Sequence, residues 1–152
     1  MKIQIMTRVA GLFVIATILH GLPAVAADTV YLVQIQDVLV SRDARNTLDG
    51  SVSFYFGDAT HPKIDRNFGN YITNKKTNGF GKSAETACNW VFLSALLQLQ
   101  QRAKQQGGNA VVNIHSYYKK REVSSTKEVE CHKGFTIAGV ALKGDVVKLA
   151  GR

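Results

Sequence analysis

SAETACNWVFLSALLQLQQRAKQQGG, residues 83–108, is the stretch that decides the fold. Ala84, Ala87, Cys88, Val91, Phe92, Ala95, Leu96, Leu99 and Ala103 recur at intervals of three and four, laying an apolar stripe down one side of an α-helix. Ser83 is a residue type whose hydroxyl accepts from the free N–H groups of a first turn. Glu85 favours the positive end of the helix dipole, and Gly107-Gly108 provides a stop. The pattern predicts a helix over 84–106. At about 100° per residue, Trp90, Leu93 and Leu97 fall together on nearly the opposite side, so the helix carries a second apolar ridge. That ridge is expected to be covered either by the long 57–81 segment, with Phe68, Tyr71 or Phe80 as its lid, or by a partner or second subunit.

On the N-terminal side, residues 29–40 (TVYLVQIQDVLV) are β-branched and apolar and read as one strand. A polar, turn-rich segment follows from Arg42 to Gly50, with Asp49-Gly50 as a turn signal. Ser51–Phe56 (SVSFYF) alternates and reads as a second strand, hairpinned to the first. Residues 57–81, rich in Asn, Gly and Lys, read as an irregular lobe or a functional loop. Beyond the helix, 110–118 (AVVNIHSYY) is a strand, and Lys119-Lys120-Arg121 a basic turn. Residues 128–142 form a further extended stretch, interrupted near His132-Lys133-Gly134. Residues 134–142 (GFTIAGVAL) are apolar on both faces, as a central strand is. The expected fold is α+β: a small mixed or antiparallel sheet of about four strands packed on one long helix.

The first 26 residues read as a cleavable export signal. Lys2 and Arg8 precede an apolar run over 9–19, then Gly21-Leu22-Pro23 and the small residues Ala24-Val25-Ala26-Ala27. The apolar run is about half of the roughly 20 residues needed to span a bilayer. Cleavage after Ala26 or after Ala27 fits, leaving residues 27–152 as a single periplasmic domain with no transmembrane segment. The whole chain has 19 Lys+Arg against 11 Asp+Glu, and the leader takes two of the basic residues and none of the acidic ones. The exported part is thus basic, which favours anionic partners.

Cys88 and Cys131 are the two cysteines of the chain, and in an oxidising compartment they read as one disulfide. A metal site of Cys88, Cys131 and His132 or His115 is the competing reading, set against two adjacent ligands and no C-x-x-C spacing. Gly81-Lys82-Ser83 opens a helix as the end of a P-loop does. The full motif needs a glycine five positions earlier, where Lys76 stands. Neither ATP nor another cofactor is expected. His115 shares a strand face with Asn113 and Tyr117 and carries no recognised catalytic motif. No catalytic residue is assigned, and a non-enzymatic protein is expected. Lys75, Lys76 and Lys82, with Lys119, Lys120 and Arg121, are candidate anion-binding groups.

Several segments carry a resemblance. Residues 78–88 (NGFGKSAETAC), 107–114 (GGNAVVNI), 116–120 (SYYKK), 130–134 (ECHKG) and 139–144 (GVALKG) are similar to small exported bacterial proteins commonly labelled "excinuclease ATPase subunit". The label implies an ATPase, against a P-loop without its first glycine. More distantly, the helix leading into Gly107-Gly108-Asn109-Ala110-Val111-Val112 and the closing Cys131-His132-Lys133-Gly134 strand resemble the Rcs-type stress-sensor lipoprotein and the YbjQ-type fold. This likeness implies the fold and an envelope-stress role. Two function classes follow: an envelope module binding a protein partner or itself, and a binder of anionic envelope components or nucleic acid through the basic groups.

Overall fold

The computed structural model describes residues 28–151, so the leader expected over residues 1–26 lies outside the described residues. A six-stranded mixed sheet packs one face on a long helix. Its strands are β1 (Thr29–Gln34), β2 (Ser53–Phe56), β3 (Ile64–Asn78), β4 (Ala110–Ser116), β5 (Glu128–Lys133) and β6 (Ile137–Leu149). The helices are α1 (Ile35–Leu39), α2 (Arg42–Thr47) and α3 (Ala84–Gln106).

Helix α3 starts and stops where its caps dictate. The Ser83 hydroxyl accepts from Thr86 N–H at 3.0 Å, and Gly107 ends the helix at φ 78°, a left-handed conformation glycine adopts without strain. Gly108 has a different reason to be glycine. A Cβ there would lie 2.9 Å from both Val147 O and a Val146 methyl, so only a bare backbone lets the helix end approach β6 this closely.

Strand β6 is central. Along one edge it pairs antiparallel with β3 from Ile137 to Leu149; along the other it pairs first with β5 and then with β4. Ala138, Val140, Leu142 and Val146 face α3 and are buried with Val91, Phe92 and Leu96 in the main core. Val147 and Leu149 point the other way into a smaller core with Ala110 and Val112. This doubly buried strand matches the apolar run expected for a central one. Phe135 is the exception: it lies in the β5–β6 turn, 80% exposed.

Four expectations are corrected. The strand expected over 29–40 stops at Gln34: the Ile35 N–H bond to Lys127 O, at 2.9 Å, is the last in register with β5 before the chain turns into α1. From there Ile35, Val38 and Leu39 have the spacing of a helix face, and α1 buries the first two. The turn-rich segment contains α2, capped by the Ser41 hydroxyl accepting from Ala44 N–H. β2 is not hairpinned to β1: it runs parallel to β4 at the far end of the sheet, while β1 pairs antiparallel with β5. α1 and α2 carry the chain between these ends, and Lys104 of α3 holds Asp49 by an ion pair where it arrives. Finally, most of the expected irregular lobe is β3, a strand of 15 residues. The sheet therefore has six strands rather than about four.

Of the ridge on α3, Leu93 alone is buried, and the segment over it is not the one expected. Strand β3 meets the helix at Gln98, which accepts from the Thr73 hydroxyl, and at Arg102, whose guanidinium lies over the Tyr71 ring. Leu93 lies roughly 140° or more around the helix from both. It is 2% exposed and borders a cleft with Val38 and Ser41, so the 35–48 segment covers it. Phe80 packs edge-on against Phe135 at 5.4 Å instead of lying over the ridge.

Cys88, in the second turn of α3, and Cys131 in β5 form the disulfide, with Cα atoms 5.8 Å apart. It ties the helix to the sheet across a sequence separation of 43. On the chain-entropy account, closing such a loop contributes about 4 kcal/mol. Reduction, or the paired change Cys88→Ala and Cys131→Ala, should lower the urea midpoint correspondingly. An unchanged midpoint would mean that the helix–sheet packing alone fixes the stability.

Candidate functional site

A cleft of about 490 Å³ runs beside the N-terminal half of α3. α1 and α2 form one wall, with Val38 and Ser41. Trp90 and Leu93 of α3 form the apolar side. A second cleft of about 280 Å³ continues it toward β1 and shares Asp37, Val38, Glu85 and Asn89. Trp90 is 51% exposed, Leu93 is buried and Leu97 half-buried, so the three ridge residues divide into a rim, a floor and a flank. Asp37, Asp43 and Glu85 border the main cleft against a single cation, Lys82. In a basic protein this is a locally acidic groove.

The candidate anion-binding residues do not form one site. Alternation along β3 turns Lys75 toward the α3 face with Tyr71, Thr73 and Thr77, and Lys76 toward the open face. Lys82 lies in the loop before α3, its N–H bonded to Gly79 O. Arg121 is engaged by Glu130 through two bonds of 2.9 and 2.7 Å. Lys119 and Lys120 stand exposed on a 3-10 turn (Tyr118–Lys120). What the structure does gather is Lys76, Lys82 and Lys133 at one end of the sheet. Lys76 lies beside Gly139, and the Lys133 stem lies 3.4 Å from where a Cβ on Gly79 would be. Lys133 was not among the expected groups, since only the β5–β6 hairpin brings it next to residues 76–82.

The open face of the sheet holds a cluster that periodicity did not reveal. His132 is buried and stacked on the Tyr118 ring at 3.5 Å, and Tyr118 donates its hydroxyl to Asp28 at 2.6 Å. His115 is also buried; its Nδ1 faces Asn113 O at 2.9 Å and its ring meets Tyr117 edge-on. Asn113 itself is exposed at φ 52°, within a bulge, so its side chain does not join a polar cluster with His115. The Nε2 atom of each histidine lacks a hydrogen-bond partner among the described residues. The nearest carboxylates are Glu122, 3.6 Å from His115, and Glu130, 3.5 Å from His132. Glu122 is held below its usual range by Lys143, which donates to it at 2.5 Å. Both cysteines are in the disulfide, and no group of three metal-ligating side chains converges among the described residues. The signal for this cluster was present only as the alternation Glu130-Cys131-His132, which puts Glu130 and His132 on the face away from the core.

Burial pushes the His132 imidazole below its usual value of 6.5, with Glu130 opposing. A histidine depressed in the folded state binds its proton more readily when unfolded. Its contribution is therefore intact above 6.5 and is lost as pH falls from there through the folded value. Stability should decline between pH 7 and 5. His132→Phe, which keeps a ring on Tyr118 without the titrating group, should flatten the profile in a thermal-melt series. A profile unchanged by the substitution would remove His132 as its cause.

With this geometry in place, comparison with known proteins finds that the chain matches no protein-family model, no curated protein and no solved structure.

Proposed function

We propose that this chain is an exported, non-enzymatic module of the cell envelope that binds a protein partner at the cleft beside Trp90. The observation that carries the reading is Trp90 itself. A tryptophan 51% exposed, at the mouth of a preformed cleft with a buried leucine beside it, is the arrangement of an interface anchor. The three carboxylates bordering the groove favour a partner segment that pairs an apolar side chain with a basic one. The Cys88–Cys131 bridge supports an oxidising compartment, because structural disulfides persist there.

The test is capture from an envelope extract with wild-type protein and with Trp90→Ala. Because Trp90 is half exposed, its removal should leave the melting temperature within a few degrees. An anchor of this kind contributes about 2 kcal/mol or more, so affinity for the captured partner should fall roughly thirtyfold. An identical set of captured proteins for both forms defeats the proposal.

A second reading is binding of phosphate-bearing envelope components. It is favoured by the gathering of Lys76, Lys82 and Lys133 at one end of the sheet, where none of the three has an ion-pair partner among the described residues.

A further inference from the structure

Two loop tips meet at the end of the sheet where β3 and β5 finish and where α3 and β6 begin. Gly79 N–H bonds Thr136 O at 2.8 Å, and the β3–β6 ladder closes at Asn78 opposite Ile137. This junction places Phe80 and Phe135 edge to face, with ring centres 5.4 Å apart. Both rings are out in solvent: Phe80 is 59% and Phe135 80% exposed, and Ile137 beside them is 51% exposed. A fold with two well-filled cores has no structural need for this. Contiguous exposed aromatic surface of this kind marks a contact site.

The polar residues around the tip suggest its occupant. Residues 76–83 and 133–137 contain Lys76, Lys82 and Lys133 and no acidic residue. The Lys119–Lys120 turn adjoins them, because the Asp28 carboxylate accepts from Tyr118 through one oxygen and approaches Gly134 with the other. An apolar point collared by cations fits a surface that is apolar beneath and anionic above. A second copy of the chain fits poorly, since tip-to-tip contact would bring the two lysine collars together, and the Asp28 carboxylate near Gly134 is already engaged by Tyr118.

We infer that the Phe80–Phe135 tip with its lysine collar docks the domain on the surface of an anionic phospholipid bilayer. The two phenylalanines and Ile137 enter the interface between head groups and acyl chains, and Lys76, Lys82 and Lys133 lie at the level of the lipid phosphates. This inference rests on the second reading above and names its ligand. The attachment is peripheral: no helix among the described residues is long and apolar enough to cross a membrane.

The experiment is co-sedimentation of residues 27–152 with vesicles of phosphatidylglycerol mixed with phosphatidylcholine, and with phosphatidylcholine alone. Binding is expected to the anionic vesicles only, and it should weaken as salt rises. The double variant Phe80→Ser, Phe135→Ser should reduce binding at least tenfold while the melting temperature is unchanged, since both side chains are largely in solvent. Lys76→Gln, Lys82→Gln and Lys133→Gln should each lower affinity about fivefold. Trp90→Ala should have no effect on vesicle binding. Equal binding to neutral vesicles overturns the inference, as does anionic binding that the phenylalanine variant retains. A dimer that forms without vesicles and dissociates in the phenylalanine variant also overturns it. Retention on a polyphosphate matrix without vesicle binding overturns the bilayer and leaves the anion-binding reading standing; failure of both removes the two together.

Discussion

Strand β6 has both edges occupied and both faces covered along much of its length. β3 takes one edge, β5 and β4 share the other, α3 lies on one face, and the smaller core covers its far end on the other face. A strand in this position must satisfy its backbone entirely through neighbouring strands, and its side chains cannot be polar on either side where both are buried. Residues 138–142 and 146–147 meet that demand with Ala, Val, Leu and Gly. Gly144 shows how closely the demand is drawn: a Cβ there would come within 2.9 Å of a Val111 methyl. Once β6 is fixed, the disulfide sets the remaining degree of freedom. It pins the second turn of α3 over β5, the strand beside the start of β6.

How much of this could be read from the sequence depended on whether the signal was local. Helix α3 was legible to its ends because its stripe, its serine cap and its glycine stop are all written within 26 residues. The last strands were legible as apolar runs. β3 was not, for physical reasons. It contains four asparagines and a glycine, it is an edge strand, and two bulges break its register. Its alternation survives only in Tyr71, Thr73, Lys75 and Thr77, residues whose apolar stems face α3. The ladder to β6 makes it a strand, and a ladder is information held by the partner. The same distinction separates the candidate sites. Trp90, Leu93 and Leu97 were legible as a ridge from helical spacing, but the cover over Leu93 came from the segment of α1 and α2, and Trp90 stays exposed. The tip formed by Phe80 and Phe135 joins loops 55 residues apart in the chain, so no window of sequence contains it.

Charge is distributed unevenly over this basic protein. Several cations are neutralised where they hold elements in place: Lys104 at Asp49, Arg121 at Glu130 and Lys143 at Glu122. The carboxylates Asp37, Asp43 and Glu85 gather at the cleft. Lys76, Lys82 and Lys133, which have no ion-pair partner among the described residues, lie together at the tip, with Lys119 and Lys120 on the adjoining 3-10 turn. The cleft and the tip thus differ in sign although Lys82 borders both, and they should discriminate between ligands of opposite charge.

The buried histidines on the open face follow from the same economy of charge. Tyr118 needs a flat partner if the 3-10 turn is to stay on the sheet, because Lys119 and Lys120 both adopt positive φ, a conformation unfavourable for side chains of their kind. His132 supplies the flat partner, and Glu130 two residues away along the strand fixes Arg121 at the far side of the turn. A phenylalanine at 132 would stack as well but would leave Glu130 with one cationic neighbour fewer when the pH falls. The neutral imidazole leaves Glu130 free for Arg121, and the charge-assisted bonds from one Arg121 nitrogen to both carboxylate oxygens, rather than the histidine, carry the electrostatic hold on the turn. That arrangement keeps Lys119 and Lys120 presented on the same end of the molecule as Phe135, with the Asp28 carboxylate bridging the two segments.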